Sequence, residues 1–271
     1  MSKFINSPRK ILKKLYRILS EFGIEPIKFI RSTRSLPWYL RDYFKIRSQS
    51  KSQPVKIRFT FPYPKLRDKD TESGTTRSHY FHQDLLVAQY IFSEAPKRHI
   101  DIGSRIDGFV SNVASFRKIE VLDIRPTKQS IPNITFIQSD LMRPNHALKD
   151  STDSISCLHA IEHFGLGRYG DPIDIDGTKK GLSNILELLK ANGTLYLSLP
   201  IGSERIEFNA HRVFNAITPI KLLEGKCTLT SFSYVNDQGD LIKPENPNTV
   251  DFEMSFGCEY GCGIYTFTKN P

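Results

Sequence analysis

From residue 79 onward the chain alternates short apolar runs with amphipathic stretches, and that alternation leaves few folds open. Residues 79–92 read as a helix with Leu85, Leu86, Ala88 and Ile91 apolar, followed by a strand at 98–102 and a helix at 106–116. Strands follow at 119–122, 134–138 and 154–158. A helix at 178–190 carries Leu182, Ile185, Leu186 and Leu189 and closes at Asn192-Gly193, and a fifth strand spans 194–199. After a further short helix, residues 228–235 and 264–268 read as a closing pair of strands. The order implies an α/β fold with a doubly wound, mostly parallel, seven-stranded sheet. In open sheets of this kind ligands bind beyond the carboxyl ends of the strands.

The first 78 residues differ in character from the remaining 79–271. Residues 1–67 hold 17 Lys and Arg against 3 Asp and Glu, leaving 21 against 26 in the rest of the chain. The basic balance therefore belongs to an N-terminal arm that suits an anionic surface. Ser7-Pro8 reads as a helix start, with Ile11, Leu12, Leu15, Ile18, Leu19 and Phe22 at helical spacing. Lys10, Lys13, Lys14 and Arg17 lie between them, and Gly23 ends the pattern. Such a helix either makes peripheral contact in a membrane interface or docks its apolar face on the protein's own core. Nucleic acid is the least favoured partner of the arm. Residues 34–67, with Pro37, Pro54, Pro62 and Pro64 among seven aromatics, read as an extended connection, with residues 59–63 as one edge strand.

Composition removes several classes. Apolar residues at 39% and charged residues at 25% fit a globular chain rather than a disordered or fibrous one. No apolar run approaches the roughly 18 residues of a transmembrane helix, and the basic N-terminus lacks the apolar stretch of a secretory signal. Four cysteines make no disulfide framework and point to a reducing, cytoplasmic setting, at the inner face of the membrane if the arm binds there. Cys258-x-x-x-Cys262 has no second pair to complete a zinc site. The two are expected on one side of a strand, with Cys157 in a buried strand, all structural.

Four pieces of the second region suit a nucleotide-like cofactor. The first is Asp101-Ile102-Gly103-Ser104-Arg105-Ile106-Asp107-Gly108, where a strand turns into a helix. A glycine there lets backbone approach a ligand, and free N–H groups face it. Arg105 and Asp107 stand where the usual loop has further glycines. Asp123, at the end of the second strand and 20 residues after Gly103, can accept two ribose hydroxyls. Asp140, just past the third strand, can accept an adenine amino group. The fourth is the fifth strand itself, Leu195-Tyr196-Leu197-Ser198-Leu199-Pro200.

On these residues the region 80–271 resembles the class I S-adenosylmethionine-dependent methyltransferases. More narrowly, Asp101 to Phe109 and Cys157-Leu158-His159-Ala160-Ile161-Glu162-His163-Phe164-Gly165-Leu166-Gly167-Arg168-Tyr169-Gly170-Asp171 are similar to a largely uncharacterised family within that class. Its members often lie among bacterial surface-polysaccharide genes. The resemblance implies S-adenosyl-L-methionine as cofactor. It implies that Asp101, Gly103 and Ser104, with Arg105, meet the methionine part, Asp123 and Ile124 the ribose, and Asp140 and Leu141 the adenine. His159 would meet the cofactor from the end of the fourth strand.

Methyl transfer to a hydroxyl needs a positioned acceptor and a group to take its proton. The segment after the fourth strand offers His159, Glu162 and His163, and His211 follows the fifth strand. His163 is the first candidate for general base and His211 the second, with Glu162 in the same constellation. A structural role for His163 is the plain alternative. His159, Glu162, His163 and His211 together form a possible divalent-metal set, which is not favoured because His159 stands where the comparable pattern has a glutamate. Asp171, Asp174 and Asp176 read as turn and cap residues. The expected activity is O-methyl transfer to a saccharide or glycan precursor. The alternatives are an RNA or nucleotide methyltransferase, and a methyltransferase-like fold without activity that assists assembly at a membrane.

Overall fold

The computed structural model describes residues 8–271 apart from 54, 56, 57, 70, 72 and 129, and the chain divides into two compact units, Met1–Gly74 and Thr75–Pro271. Ser7 and Pro54, singled out above, lie outside the described residues.

The first unit is built on two helices, α1 (Pro8–Glu21) and α2 (Pro26–Gln49). Gly23 ends α1 with φ +75°, its N–H donating to Ser20 and that of Ile24 to Leu19. Residues 34–49, expected to be extended, instead continue α2 through Pro37. A proline deletes one backbone bond but fits helical φ, and the long straight-chain residues around it favour helix. Residues 59–63 form no strand, because the segment turns back onto α2 and finds no strand partner. Phe59 packs edge-on to Tyr43, and the Lys69 ammonium lies 4.7 Å over the Trp38 ring. Ile11, Leu12, Leu15 and Ile18 of α1, and Phe22 just past its end, are exposed. No helix among the described residues is long and apolar enough to cross a membrane.

The second unit opens with α3 (His79–Glu94), capped by Ser78, whose hydroxyl accepts from the Phe81 N–H. Strands β1 (His99–Ile102), β2 (Ile119–Asp123), β3 (Ile134–Gln138) and β4 (Thr152–Leu158) follow. The helix expected at 106–116 is a π turn at Ile106–Val110 running into the single turn α4 (Ser111–Ala114). Next come α5 (Gly177–Leu188) and β5 (Leu189–Ile201), with the helix ending before Asn192-Gly193 rather than at it. A separate ribbon pairs β6 (Arg205–Glu207) with β7 (His211–Val213). Then α6 (Thr218–Leu223), β8 (Cys227–Val235), β9 (Leu241–Ile242) and β10 (Gly261–Lys269) complete the unit.

The main sheet has the order β3-β2-β1-β4-β5-β10-β8-β9. Strands β1 to β5 are parallel and β10 is antiparallel between β5 and β8, which is the class I methyltransferase arrangement. The sheet has eight strands where seven were expected, because Leu241 and Ile242 add a short antiparallel edge. Cores lie on both faces, as a parallel sheet requires. Leu195, Leu197 and Leu199 of β5 point to the α5 side with Ile185, and Tyr196 between them faces the α3 side with Ile91 and Val113. Each such aliphatic side chain contributes about 1.5–3 kcal/mol on burial.

Candidate active site

Chain order reverses between β1 and β4, and a cleft of about 570 Å³ opens beyond the carboxyl ends of β1 to β4. Gly103, Ser104, Arg105, Asp123, Ile124, Asp140, Leu141, His159 and His163 all reach its wall. Asp101, Glu162 and His211 do not.

The β1 turn is shaped around Gly103, whose φ of +69° suits glycine and whose N–H donates to the Leu122 carbonyl. A Cβ there would come 3.1 Å from the Ala160 methyl, so a side chain would close the floor of the cleft. Asp101 stands beneath this turn, fully buried. It accepts from the Ser104 N–H at 3.0 Å, the Ser104 hydroxyl at 2.7 Å and the Ser156 hydroxyl at 2.6 Å. Its oxygens therefore position Ser104 rather than face the cleft, a correction to its expected contact with cofactor. Burial pushes its carboxyl up to about 7. Arg105 and Asp107, the departures from a glycine loop, pair with each other at 2.7 Å on the surface.

At the end of β2, the Asp123 carboxylate accepts from the Arg125 guanidinium at 2.5 and 3.0 Å and from the Arg125 N–H at 2.8 Å. Arg125 in turn lies 4.4 Å over the Tyr169 ring. Asp140, past β3, caps its own turn through the Met142 N–H, and the Leu141 carbonyl accepts from Asn184.

After β4 the backbone bends through His159 at φ +49°, which a non-glycine residue adopts only when its surroundings hold it. The Ile161–His163 turn then buries Glu162 between two imidazoles. Glu162 Oε1 accepts from His159 Nδ1 at 2.7 Å and stands 3.8 Å from His163 Nε2. His163 Nδ1 donates to the Ala210 carbonyl at 2.6 Å, so Nε2 carries the free lone pair. Burial holds the His163 pKa below its ordinary value, with Glu162 opposing, and burial does the same to His211. Burial also works against the His159 charge, but Cys262 and Glu162 beside it hold that group above the ordinary range.

His211 lies behind His163, ring centroids 6.5 Å apart, 3.6 Å from Glu207 and tilted at 46° to the Tyr260 ring with centroids 5.2 Å apart. The possible but unfavoured four-residue metal set of His159, Glu162, His163 and His211 does not converge. Glu162 is engaged by His159, His163 bonds Ala210 through its other nitrogen, and His211 turns to Glu207. Asp171 and Asp174 are turn residues as expected. Asp171 accepts from the N–H groups of Gly165, Gly167 and Tyr169, and Asp174 accepts from the Asp176 N–H. Asp176 stands at the N-cap of α5 without a side-chain cap bond.

Tyr169, Arg125 and Tyr80 are cleft residues that sequence reasoning missed. Only the nearness of Arg125 to Asp123 in the chain could have signalled any of them. Cys258 sits in the turn before β10, so it does not share a strand face with Cys262 as expected.

The fold resembles several solved structures. One is the N-methyltransferase NodS from Bradyrhizobium japonicum in complex with S-adenosylhomocysteine, at 16% identity over 72% of this chain and 89% of that one, TM-score 0.47. Another is a TehB-like methyltransferase from Corynebacterium glutamicum, at 20% identity over 68% of this chain and 86% of that one, TM-score 0.44. The [4+2]-cyclase SpnF matches at 13% identity over 73% and 86%, TM-score 0.49. No curated protein sequence matches the chain. A family model described as Caenorhabditis protein of unknown function, DUF268, matches residues 112–254, more than half of the chain, and the chain belongs to that family.

Proposed function

We propose that the second unit is an S-adenosylmethionine-dependent methyltransferase acting on a hydroxyl of a saccharide or glycan precursor. The observation that carries the cofactor is the cleft itself. It opens at the strand-order reversal, its floor is an Ala160-facing glycine, and Asp123 and Asp140 stand at its wall after successive strands.

The residues fit that group. Gly103 leaves the space a Cβ would fill, Ser104 presents polar atoms fixed from below by Asp101, and Asp123 offers carboxylate oxygens to a diol once Arg125 yields them. The cofactor supplies an electrophilic methyl on sulfur. His163 Nε2 takes the acceptor's proton as the oxygen attacks, because its lone pair is fixed by the Nδ1–H bond to Ala210. The buried Glu162 carboxylate 3.8 Å away stabilises the imidazolium that results.

The saccharide acceptor rests on the resemblance of the Asp101–Phe109 and Cys157–Asp171 segments to proteins of surface-polysaccharide gene clusters. A nucleic-acid acceptor has the basic first unit as its one support, and salt-dependent RNA binding would favour it. The exposed apolar residues of α1 with Lys13, Lys14 and Arg17 between them support peripheral contact with an anionic membrane face. A methyl-transfer screen with labelled cofactor against sugars, sugar nucleotides and RNA tests the whole reading. Transfer to sugars supports it, transfer to RNA replaces the acceptor, and no binding of S-adenosylhomocysteine by the folded protein overturns it.

A further inference from the structure

Three side chains from distant parts of the second unit meet beside the cleft. His79 begins α3, His159 follows β4, and Cys262 lies in β10. One nitrogen or sulfur atom from each lies within 4.8 Å of the other two. The His79 and His159 rings are parallel, 4° apart in plane with centroids at 5.4 Å. Cys262 has no solvent exposure, and its thiol stands beside the His159 ring, with long contacts of 3.8 Å to Gln83 Oε1 and 3.7 Å to the Gly263 carbonyl.

A second observation points to a ligand. His159 Nδ1 is taken by Glu162, which leaves Nε2 as its available nitrogen, and that atom is buried without a hydrogen-bond partner. An orphaned buried nitrogen is costly, and native structures seldom keep one without a role. A carboxylate that accepts from one ring nitrogen and turns the other outward is the usual support of a metal-binding imidazole. The Glu162 carboxylate that does this is itself buried.

We propose that His79, His159 and Cys262 form a binding site for a divalent transition metal of zinc-like preference. Two imidazoles and one thiolate suit zinc and exclude magnesium or calcium, which take oxygen ligands. Tetrahedral zinc with Zn–N about 2.0–2.1 Å and Zn–S about 2.3 Å sets its ligand atoms roughly 3.3–3.6 Å apart. Binding therefore draws the three side chains together by about an ångström. Three protein ligands leave a fourth position, and His159 reaches the cleft wall, so an oxygen ligand from the cleft, water or a hydroxyl, completes the site. The site stands whether or not the cleft performs methyl transfer.

The test uses the full chain, stripped with a chelator and returned to zinc or cobalt(II). One equivalent of zinc by elemental analysis is expected, and cobalt should give the near-ultraviolet thiolate charge-transfer band of a tetrahedral thiolate site. Cys262→Ser should abolish that band, while Cys227→Ser should leave it intact. His79→Ala and Glu162→Gln should each weaken zinc on the order of 10-fold or more, and His146→Ala on the exposed turn should not. Circular dichroism confirms that each variant is folded. A folded wild-type protein that takes up no equivalent of metal overturns the proposal, as does a band that survives Cys262→Ser.

Discussion

Arg125 holds the Asp123 carboxylate in a two-pronged ion pair, Nη2 to Oδ2 at 2.5 Å and Nε to Oδ1 at 3.0 Å, and a ribose diol would seek the same oxygens. The two partners therefore compete. Asp123→Ala should weaken S-adenosylhomocysteine by about 2 kcal/mol, roughly 30-fold, because hydroxyls are left without an acceptor. Arg125→Ala should act in the opposite sense. A half-exposed ion pair is worth about 0.2–1 kcal/mol, so releasing it should tighten binding up to about fivefold. Titration calorimetry measures both, and unchanged affinity in folded Asp123→Ala refutes the assignment of the β2 carboxylate.

The chemistry of His163 predicts an acid limb. Burial lowers its pKa below the ordinary 6.5, so the imidazole stays neutral, and able to accept a proton, to a lower pH than a free histidine. Transfer should rise with pH to a midpoint below 6.5 and level off near neutrality. His163→Ala should lower transfer on the order of 100-fold or more with cofactor affinity nearly intact. His163→Gln should not restore it, since an amide cannot take the proton. Full activity of His163→Ala on the true acceptor would pass the role to His211, which packs behind it.

The inner parallel strands were legible because their apolar residues, such as Ile100 and Ile102 of β1 and Leu195, Leu197 and Leu199 of β5, are buried at short spacing, while β3 lies half-covered at the sheet edge, and their order follows from the crossovers between them. The acids after β2 and β3 were legible because strand ends fix where a side chain must point. Asp101 misled because a carboxylate beside a glycine turn reads as a ligand contact, while Ser104 and Ser156 claim all its oxygens from within the core. The helix through Pro37 was missed because proline and aromatics suggest extended chain, and local propensity outweighed one lost hydrogen bond. His79 and Cys262 lie 183 positions apart in sequence. Only the sheet order, which brings β10 and α3 to the end of β4, puts them together.

If α1 lies on a membrane, the protein should float with vesicles containing anionic lipid, and the bound fraction should fall as salt rises, because the lysines act through screened charge. Leu15→Glu, at an exposed position of the apolar stripe, should abolish flotation while leaving the thermal midpoint of the second unit unchanged. Flotation that persists in Leu15→Glu, or that ignores salt, rules out this mode of contact.

His99 and Asp101 give the sheet two opposed responses to acid. A single hydroxyl, Ser156 Oγ, lies 3.1 Å from His99 Nε2 and 2.6 Å from Asp101 Oδ1. Burial lowers the His99 pKa to about 3 and raises that of Asp101 to about 7. Between about pH 4 and 6.5 both are therefore neutral in the folded chain, whereas unfolded histidine is charged and unfolded aspartate is ionised. The unfolded chain binds an extra proton at His99, so that residue makes stability rise with pH across this window. The folded chain holds an extra proton at Asp101, so that residue makes stability fall with pH. Each contributes a slope of at most about 1.4 kcal/mol per pH unit, and in the wild type they largely cancel. Asp101→Asn keeps the shape and removes one slope, so its stability should rise with pH more steeply than wild type from about 4 to 6.5. His99→Gln should tilt the dependence the other way, toward falling stability. Urea unfolding across that range reads both differences directly. Equal slopes in the two variants would show that the pair is not held neutral and that the strand carries a buried charge instead.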